Sequence, residues 1–169
     1  VVAGSCSHPG TRAALEDLGV RVETFGISAT VENSLAQVEA IGAAIGRAEA
    51  GRVLARDIAR DVKAASAAMP TVSTVLWQPG GIVPGEGALV SDLLRRAGFA
   101  SHSAARGLGQ ADFLPLEQVV ADPPALLLVA GDSAAQRHPV LAEVRAMRVE
   151  RFDPALLFCG GPTIPKALA

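Results

Sequence analysis

The residues best suited to catalysis or metal binding are few and widely spaced in this chain. The three histidines, His8, His102 and His138, fall in predicted loops or at helix ends, without the spacing of metal ligands on one helix or strand. The two cysteines, Cys6 and Cys159, are too few for a disulfide framework or a cysteine zinc site. Two partly buried thiols are favoured over a single long-range disulfide, so cysteine usage leaves the redox compartment open.

Nucleotide-binding and hydrolase motifs are incomplete. Gly85-Glu-Gly87 follows a predicted strand and precedes a predicted helix, as a dinucleotide-binding fingerprint would, but Val90 stands where the third glycine belongs. The chain also lacks the Gly-Lys-Ser/Thr ending of a P-loop and the Gly-x-Ser-x-Gly elbow of hydrolases. These patterns count against an enzyme, although an α/β nucleotide-binding enzyme domain stays open as an alternative.

Aromatic and loop residues favour a binding function over catalysis. Trp77, the only tryptophan, ends a predicted strand beside the turn-rich loop 78–87, and it is either a core residue or an aromatic wall for a bulky ligand. Phe158, in the apolar loop 156–162, has the same two interpretations. His8 follows a short apolar strand, and loops at the carboxyl ends of parallel strands line ligand crevices. A solvated loop histidine is the simpler interpretation of His8.

Glu117 stands alone among apolar residues in the segment 114–120. One interpretation is a first-turn glutamate stabilised by the amino end of a short helix. The other is an acidic anchor for a partner protein.

Bulk composition excludes some partners. The chain has 169 residues, half of them hydrophobic, and a formal charge of -2. This balance gives no electrostatic reason to expect nucleic acid or an anionic membrane surface as a partner. No apolar run is long enough to cross a bilayer, and no stretch has the pattern of a signal peptide. Because the chain opens inside an apolar strand-like run, we expect a processed form or a fragment.

Strands and helices are predicted to alternate along the chain. Apolar or alternating runs predict strands near residues 1–4, 20–25, 71–78, 125–130 and 148–152, with amphipathic helices between them. This order favours an α/β fold with parallel strands. Only two strands precede residue 46, which are too few for an independent sheet.

The longest predicted helix lies between Gly46 and Pro70 and organises the rest of the chain. Its buried face is predicted to contain Leu54, Ile58, Val62 and Met69, with Val53 and Ala65 beside them. The pairs Glu49–Arg52 and Asp57–Arg60 have the spacing at which opposite charges pair on a helix. Such a helix either lies on one face of a domain or joins two lobes.

Several segments, taken together in their order and spacing, resemble a known family. The strand–loop–helix segment 75–98, the acidic helix and strand of 114–129, the loop 159–162 and the segment 15–25 resemble substrate-binding proteins of ABC importers. The class is the helical-backbone one (class III) that handles iron–siderophore complexes, haem and cobalamin. Ala125 replaces the aspartate that is usual before the strand in this family.

The resemblance implies two α/β lobes with parallel-type sheets bridged by one long helix. Residues 1–46 would be the remainder of an incomplete N-terminal lobe, 47–69 the bridging helix and 70–169 the C-terminal lobe. The ligand would lie between the lobes. The expected ligand-binding residues are Ser5, Cys6, His8, Trp77, Gln78, Gly81 and Phe158.

The resemblance also implies a function. The protein would be a monomeric, non-enzymatic, periplasmic or lipid-anchored receptor that captures a metal chelate or tetrapyrrole and needs no cofactor of its own. It would deliver this ligand to an ABC permease in the inner membrane, with Glu117 docking onto permease arginines. A helix-bridged receptor for free zinc or manganese is the further alternative, and it requires converging His, Asp and Glu ligands.

Overall fold

The first part of the chain forms a small parallel α/β unit. The computed structural model describes residues 1–5, 7–66, 71–157 and 160–168. The elements here are β1 (Val2–Gly4), α1 (Pro9–Asp17), β2 (Glu23–Phe25) and α2 (Val31–Ala44). Strands β1 and β2 pair in parallel, with Val2 opposite Glu23. The two strands predicted before the long helix are therefore confirmed.

The long helix, α3 (Ala48–Ala65), ends at the C-cap Ser66, which is earlier than predicted. Met69, predicted on its buried face, and Pro70, predicted to end it, lie outside the described residues. The predicted pairs are present, with Arg52 Nη2 2.6 Å from Glu49 Oε2 and Arg60 Nη1 2.8 Å from Asp57 Oδ1.

The predicted buried face of α3 was partly wrong. Ile58 and Val62 are buried, but Leu54 and Val53 remain 39% and 46% exposed. The buried face continues instead through Ala55 to Gly51. These small residues give little hydrophobic signal in a sequence, yet they let a neighbouring helix come close.

That neighbour is α2, which crosses α3 at two glycines. A Cβ atom added to Gly42 would lie 2.8 Å from Cα of Gly51, and one added to Gly51 would lie 3.1 Å from Cα of Gly42. The backbones are therefore in contact, and no side chain fits between them. This contact sets the distance between the two helices.

The second part of the chain contains a larger parallel sheet. In chain order its elements are β3 (Val72–Trp77), β4 (Ile82–Val83), α4 (Leu89–Arg96), β5 (Phe99–Ser101), α5 (His102–Ala105), β6 (Asp112–Phe113), α6 (Leu116–Ala121), β7 (Leu126–Val129), α7 (Val140–Glu143), β8 (Arg148–Arg151) and α8 (Ile164–Leu168). The sheet has the strand order β5-β3-β7-β8, with parallel pairing throughout. Strands β4 and β6 form a separate antiparallel ribbon, which the sequence analysis missed.

Two clusters of buried side chains hold the fold together. One surrounds β3 and β7 and includes Val75, Trp77 and Leu127. The other joins helices from both parts of the chain, and it contains Val31, Ile58, Val62, Leu93 and Ile164. The predicted α/β fold class, with parallel sheets and a long helix between them, is confirmed. The lobe boundaries at residues 46 and 70 stay a prediction.

None of the helices in the described residues has both the length and the apolar character that crossing a membrane requires.

The contact between Gly42 and Gly51 predicts that alanine, which is usually preferred over glycine in a helix, is unfavourable at this position. Alanine normally stabilises a helix interior relative to glycine. We expect Gly51→Ala to lower the free energy of unfolding by about 1–3 kcal/mol, because the new Cβ forces α2 and α3 apart. Urea unfolding followed by circular dichroism measures the change. Ala50→Ser, at the adjacent exposed position, should have little effect, and a stabilised Gly51→Ala protein would contradict the proposed contact.

Candidate functional site

The main pocket, of about 530 Å³, lies between the first and second parts of the chain. One wall follows the carboxyl ends of β1 and β2, and the other follows β3 and includes the amino end of α4. The lining residues are Gly4, Ser5, Phe25, Gly26, Ile27, Ser28, Gln37, Gln78, Ile82, Pro84, Ala88, Leu89, Val90, Gln110, Ala111, Leu157 and Gly160. A mostly apolar cleft of this size at the ends of parallel strands is a typical small-molecule site.

Two of the predicted ligand-binding residues, Ser5 and Gln78, line this pocket. Cys6 and Phe158 lie outside the described residues, so their predicted contacts stay predictions. Their chain neighbours Ser5 and Leu157 both line the pocket. Ligand contact by Ser5 and Gln78 also stays a prediction.

Trp77 has to be reassigned. Its side chain is 1% exposed and packs in the core around β3, so it does not form an aromatic wall of the pocket. The indole Nε1 donates a hydrogen bond to the carbonyl oxygen of Leu114 at 2.9 Å. The sheet is covered on both faces at this point, and the core therefore takes the side chain that the sequence analysis assigned to the ligand.

Gly81 is also a supporting residue instead of a lining residue. It is buried with φ +84°, and an added Cβ would lie 2.5 Å from the ring of Phe113. Its carbonyl oxygen accepts a hydrogen bond from the backbone N–H of Leu114 at 2.8 Å. Gly81 thus allows the β4–β6 ribbon to fold closely against the end of β3.

His8 caps the first helix. Its Nδ1 accepts a hydrogen bond from the backbone N–H of Gly10 at 3.1 Å, at the start of α1. Its imidazole is exposed and is not part of the pocket lining. Thr11 lies inside this helix. A ligand contact by His8 stays a prediction.

Exposed apolar side chains that were not predicted as ligand-binding residues also line the pocket. Ile27 and Ile82 line opposite walls and are 67% and 40% exposed. Phe113, which pairs with Ile82 across the ribbon, is 61% exposed but is not among the residues that line the pocket. The only signal was an apolar pair inside a turn-rich loop, which is too short to show a strand period. Ile27 and Ile82 therefore offer apolar surface that a ligand in the pocket would cover.

Buried charge joins the two walls beside the pocket. The carboxylate of Asp92, on α4, accepts a hydrogen bond from the backbone N–H of Val31, the first residue of α2, at 2.9 Å. Arg95 Nη1 and Arg96 Nε donate to the same carboxylate at 2.9 and 3.0 Å. Arg96 Nη2 also lies 2.6 Å from Glu32 Oε1. We call these residues the Asp92 clamp.

The clamp has an electrostatic consequence at the start of α2. The pKa of Glu32 lies below its ordinary value, because the carboxylate accepts from its own backbone N–H and then from Arg96. Negative charge is favoured at the amino end of a helix, and Glu32 and Asp92 both supply it there. The residues of the clamp thus satisfy each other without a ligand.

His102 lies in a second polar cluster, away from the pocket. Its Nδ1 is 3.0 Å from Ser73 Oγ, and its Nε2 is 3.7 Å from Asp122 Oδ2. Burial, and then the nearby Arg106, lower the pKa of His102. Within the described ranges, no three side chains of His, Cys, Asp or Glu come together as a metal site.

Glu117 lies in the first turn of α6 and is exposed. This placement is compatible with docking to a partner and equally with a plain first-turn glutamate. Docking therefore stays a prediction.

Comparison with known proteins gives a family match over most of the chain. Residues 1–152 match the model of a family described as "Periplasmic binding protein". A search of curated proteins found no match.

Solved structures share the fold. The periplasmic heme-binding protein RhuT from Roseiflexus sp. RS-1 is 22% identical, with a TM-score of 0.83, and the alignment covers 99% of this chain and 72% of that one. The vitamin B12-binding protein BtuF of Vibrio cholerae is 16% identical, with a TM-score of 0.75 and coverages of 99% and 69%. A chain described as an ABC-type Fe3+-hydroxamate transport system from Saccharomonospora viridis DSM 43017 is 21% identical, with a TM-score of 0.73 and coverages of 99% and 66%.

The Asp92 clamp predicts that a substitution of nearly the same size at Asp92 lowers the stability of the protein. Asp92→Asn keeps the size of the side chain but removes the charge opposite Arg95 and Arg96. We expect the free energy of unfolding to fall by about 1–3 kcal/mol, as for hydrogen bonds to charged groups. Asp57→Asn, which breaks an exposed pair on α3, is the matched control and should cost less than about 1 kcal/mol. Equal losses of unfolding free energy in the two variants, measured by urea unfolding, would contradict a larger stabilising contribution from the clamp.

Proposed function

Because the chain belongs to the periplasmic binding protein family, we propose that it captures a metal chelate in the pocket and delivers it to an ABC permease. The ligand is an iron chelate, haem or a cobalamin-like molecule. The observation that carries this proposal is the apolar pocket between two walls, with exposed Ile27 and Ile82 facing it from opposite sides. Burying these side chains against a large apolar ligand contributes about 25 cal/mol for each Å² covered.

The names of the structural neighbours support this ligand class. They describe binding of haem and vitamin B12 and transport of Fe3+-hydroxamate. All of these ligands are bulky metal complexes, which fit a wide apolar cleft better than a small enclosed site. The protein would act outside the cytoplasmic membrane, free in the periplasm or lipid-anchored, and as a monomer.

The alternatives have less support. A receptor for free zinc or manganese needs several converging ligands, and the described residues contain no such group. An α/β enzyme needs reactive groups in its pocket, whereas the described lining residues are apolar, small or amide side chains. Neither alternative is favoured by the family match.

Ligand capture can be tested through Trp77, the only tryptophan of the chain. It precedes Gln78, a lining residue, so a bound chromophoric chelate lies near enough to quench its fluorescence. We expect saturable quenching by at least one probe among haem, cyanocobalamin and ferrichrome, and none by zinc. No response to any chelate from the folded protein would refute the proposal.

Substitution of a residue in the pocket wall tests where the ligand binds. Ile82→Asn should weaken binding of the responding chelate by about tenfold, because a polar side chain replaces apolar surface that the ligand covers. Val149→Asn is the matched control, since Val149 is 39% exposed on β8 and lies outside this pocket. Equal affinities for Ile82→Asn and the wild type would place the ligand elsewhere.

Delivery to the permease is proposed to use Glu117. We expect Glu117→Ala to leave chelate affinity unchanged and to reduce uptake in cells that carry the matching permease, because an exposed carboxylate is lost from the docking surface. Glu143→Ala, at another exposed position in a short helix, is the control for uptake. Loss of chelate binding in Glu117→Ala would contradict a docking role.

A further inference from the structure

The polar groups of the pocket are uncharged, and this points to the kind of ligand it takes. We infer that Gln78 and Gln110 bind neutral amide or hydroxamate groups on the rim of the chelate, so that the site selects uncharged rims over carboxylate rims. The inference rests on the proposed function and specifies its ligand class.

Gln78 is held at the end of β3. Its backbone N–H donates to the carbonyl oxygen of Ile82 at 2.9 Å, and its own carbonyl oxygen accepts from the N–H of Gly81 at 3.1 Å. Its side chain is half-buried on the pocket wall. Within the described part of the chain, that side-chain amide makes no hydrogen bond. It therefore has donor and acceptor capacity left for a ligand.

Gln110 reaches the pocket through a strained turn. The next residue, Ala111, has φ +64°, a left-handed conformation that is uncommon outside glycine. The turn is held by Asp112, whose carboxylate accepts from the N–H of Gly109 at 2.5 Å. With this turn, Gln110 and Ala111 both line the pocket, as do Ser5 and Phe25 at the ends of β1 and β2. The exposed amide of Gln110 has no hydrogen-bond partner among the residues that the structure describes.

The third lining glutamine braces the opposite wall. Gln37 Nε2 donates to the carbonyl oxygen of Gly26 at 2.7 Å, and its Oε1 accepts from Ser28 Oγ at 3.4 Å. Both polar atoms of its amide therefore have a protein partner, and the side chain positions the loop after β2. This contrast distinguishes Gln37 from Gln78 and Gln110.

The electrostatics of the pocket favour a neutral ligand rim. Among the described lining residues none is charged, so a buried carboxylate of a ligand would lose water without gaining an ionic partner. The amino end of α4 opens on the pocket at Leu89 and Val90, but Asp92 in its first turn already offsets the helix dipole. An amide or hydroxamate rim instead gains hydrogen bonds from groups that both donate and accept.

The test compares probes with different rims. Ferrichrome and cyanocobalamin present hydroxamates or amides, whereas haem and ferric citrate present carboxylates. We expect the better neutral probe to bind at least tenfold more tightly than either carboxylate probe, measured by Trp77 quenching. Gln78→Leu and Gln110→Leu should each weaken that binding by about 2- to 10-fold, which corresponds to one lost hydrogen bond.

Controls and outcomes separate this inference from the proposed function. Gln118→Leu, at an exposed position on α6, should bind like the wild type. A carboxylate probe that binds as tightly as the neutral ones, or folded Gln78→Leu and Gln110→Leu variants with unchanged affinity, would overturn the inference but leave the function intact. No binding of any chelate would overturn both. Where circular dichroism shows a misfolded variant, the ranking of the four probes on the wild type decides.

Discussion

The carboxylate of Asp92 is the interaction on which the pocket depends. The first N–H groups of a helix have no partner within it, and Val31 would leave such a group buried at the start of α2. Asp92 accepts from that group, and Arg95 and Arg96 balance its charge. Because Ser28 precedes α2 and Leu89 begins α4, the same contact fixes the separation of two pocket walls. A structural charge cluster therefore sets the width of an uncharged site.

The long helix provides the second constraint. At one end, Gly51 meets Gly42 of α2 with backbone contact, so the first part of the chain cannot slide along α3 without a clash. At the other end, Ile58 and Val62 pack with Leu93 and Ile164 from the second part. Close-packed contacts of both kinds resist continuous deformation. These contacts therefore favour a small relative movement of the two walls over a wide hinge motion.

The sequence predicted those features that have a local signal. Continuous apolar runs such as 126–129 marked the buried parallel strands, and Gly46 marked the boundary before the long helix. The β4–β6 ribbon was missed because two-residue strands show no period. The direction in which the Trp77 side chain points could not be predicted, since the sequence of a strand covered on both faces shows no alternation of apolar and polar residues. The Asp92 clamp was also beyond prediction, because it joins residues 61 positions apart.

In the proposed function, the composition of the pocket would link capture of the ligand to its release. Apolar walls contribute affinity only while they are in contact with the ligand. Neutral hydrogen bonds orient the ligand but contribute only a modest net free energy of binding. A ligand held in this way would lose most of its binding free energy when the walls separate slightly. The described lining residues carry no charge, so no long-range ionic attraction would hold the ligand once direct contact is lost. A permease that moves one wall relative to the other would therefore free the ligand without competing for its polar groups. The Asp92 clamp is a charged link between those walls, so such a movement would have to strain it.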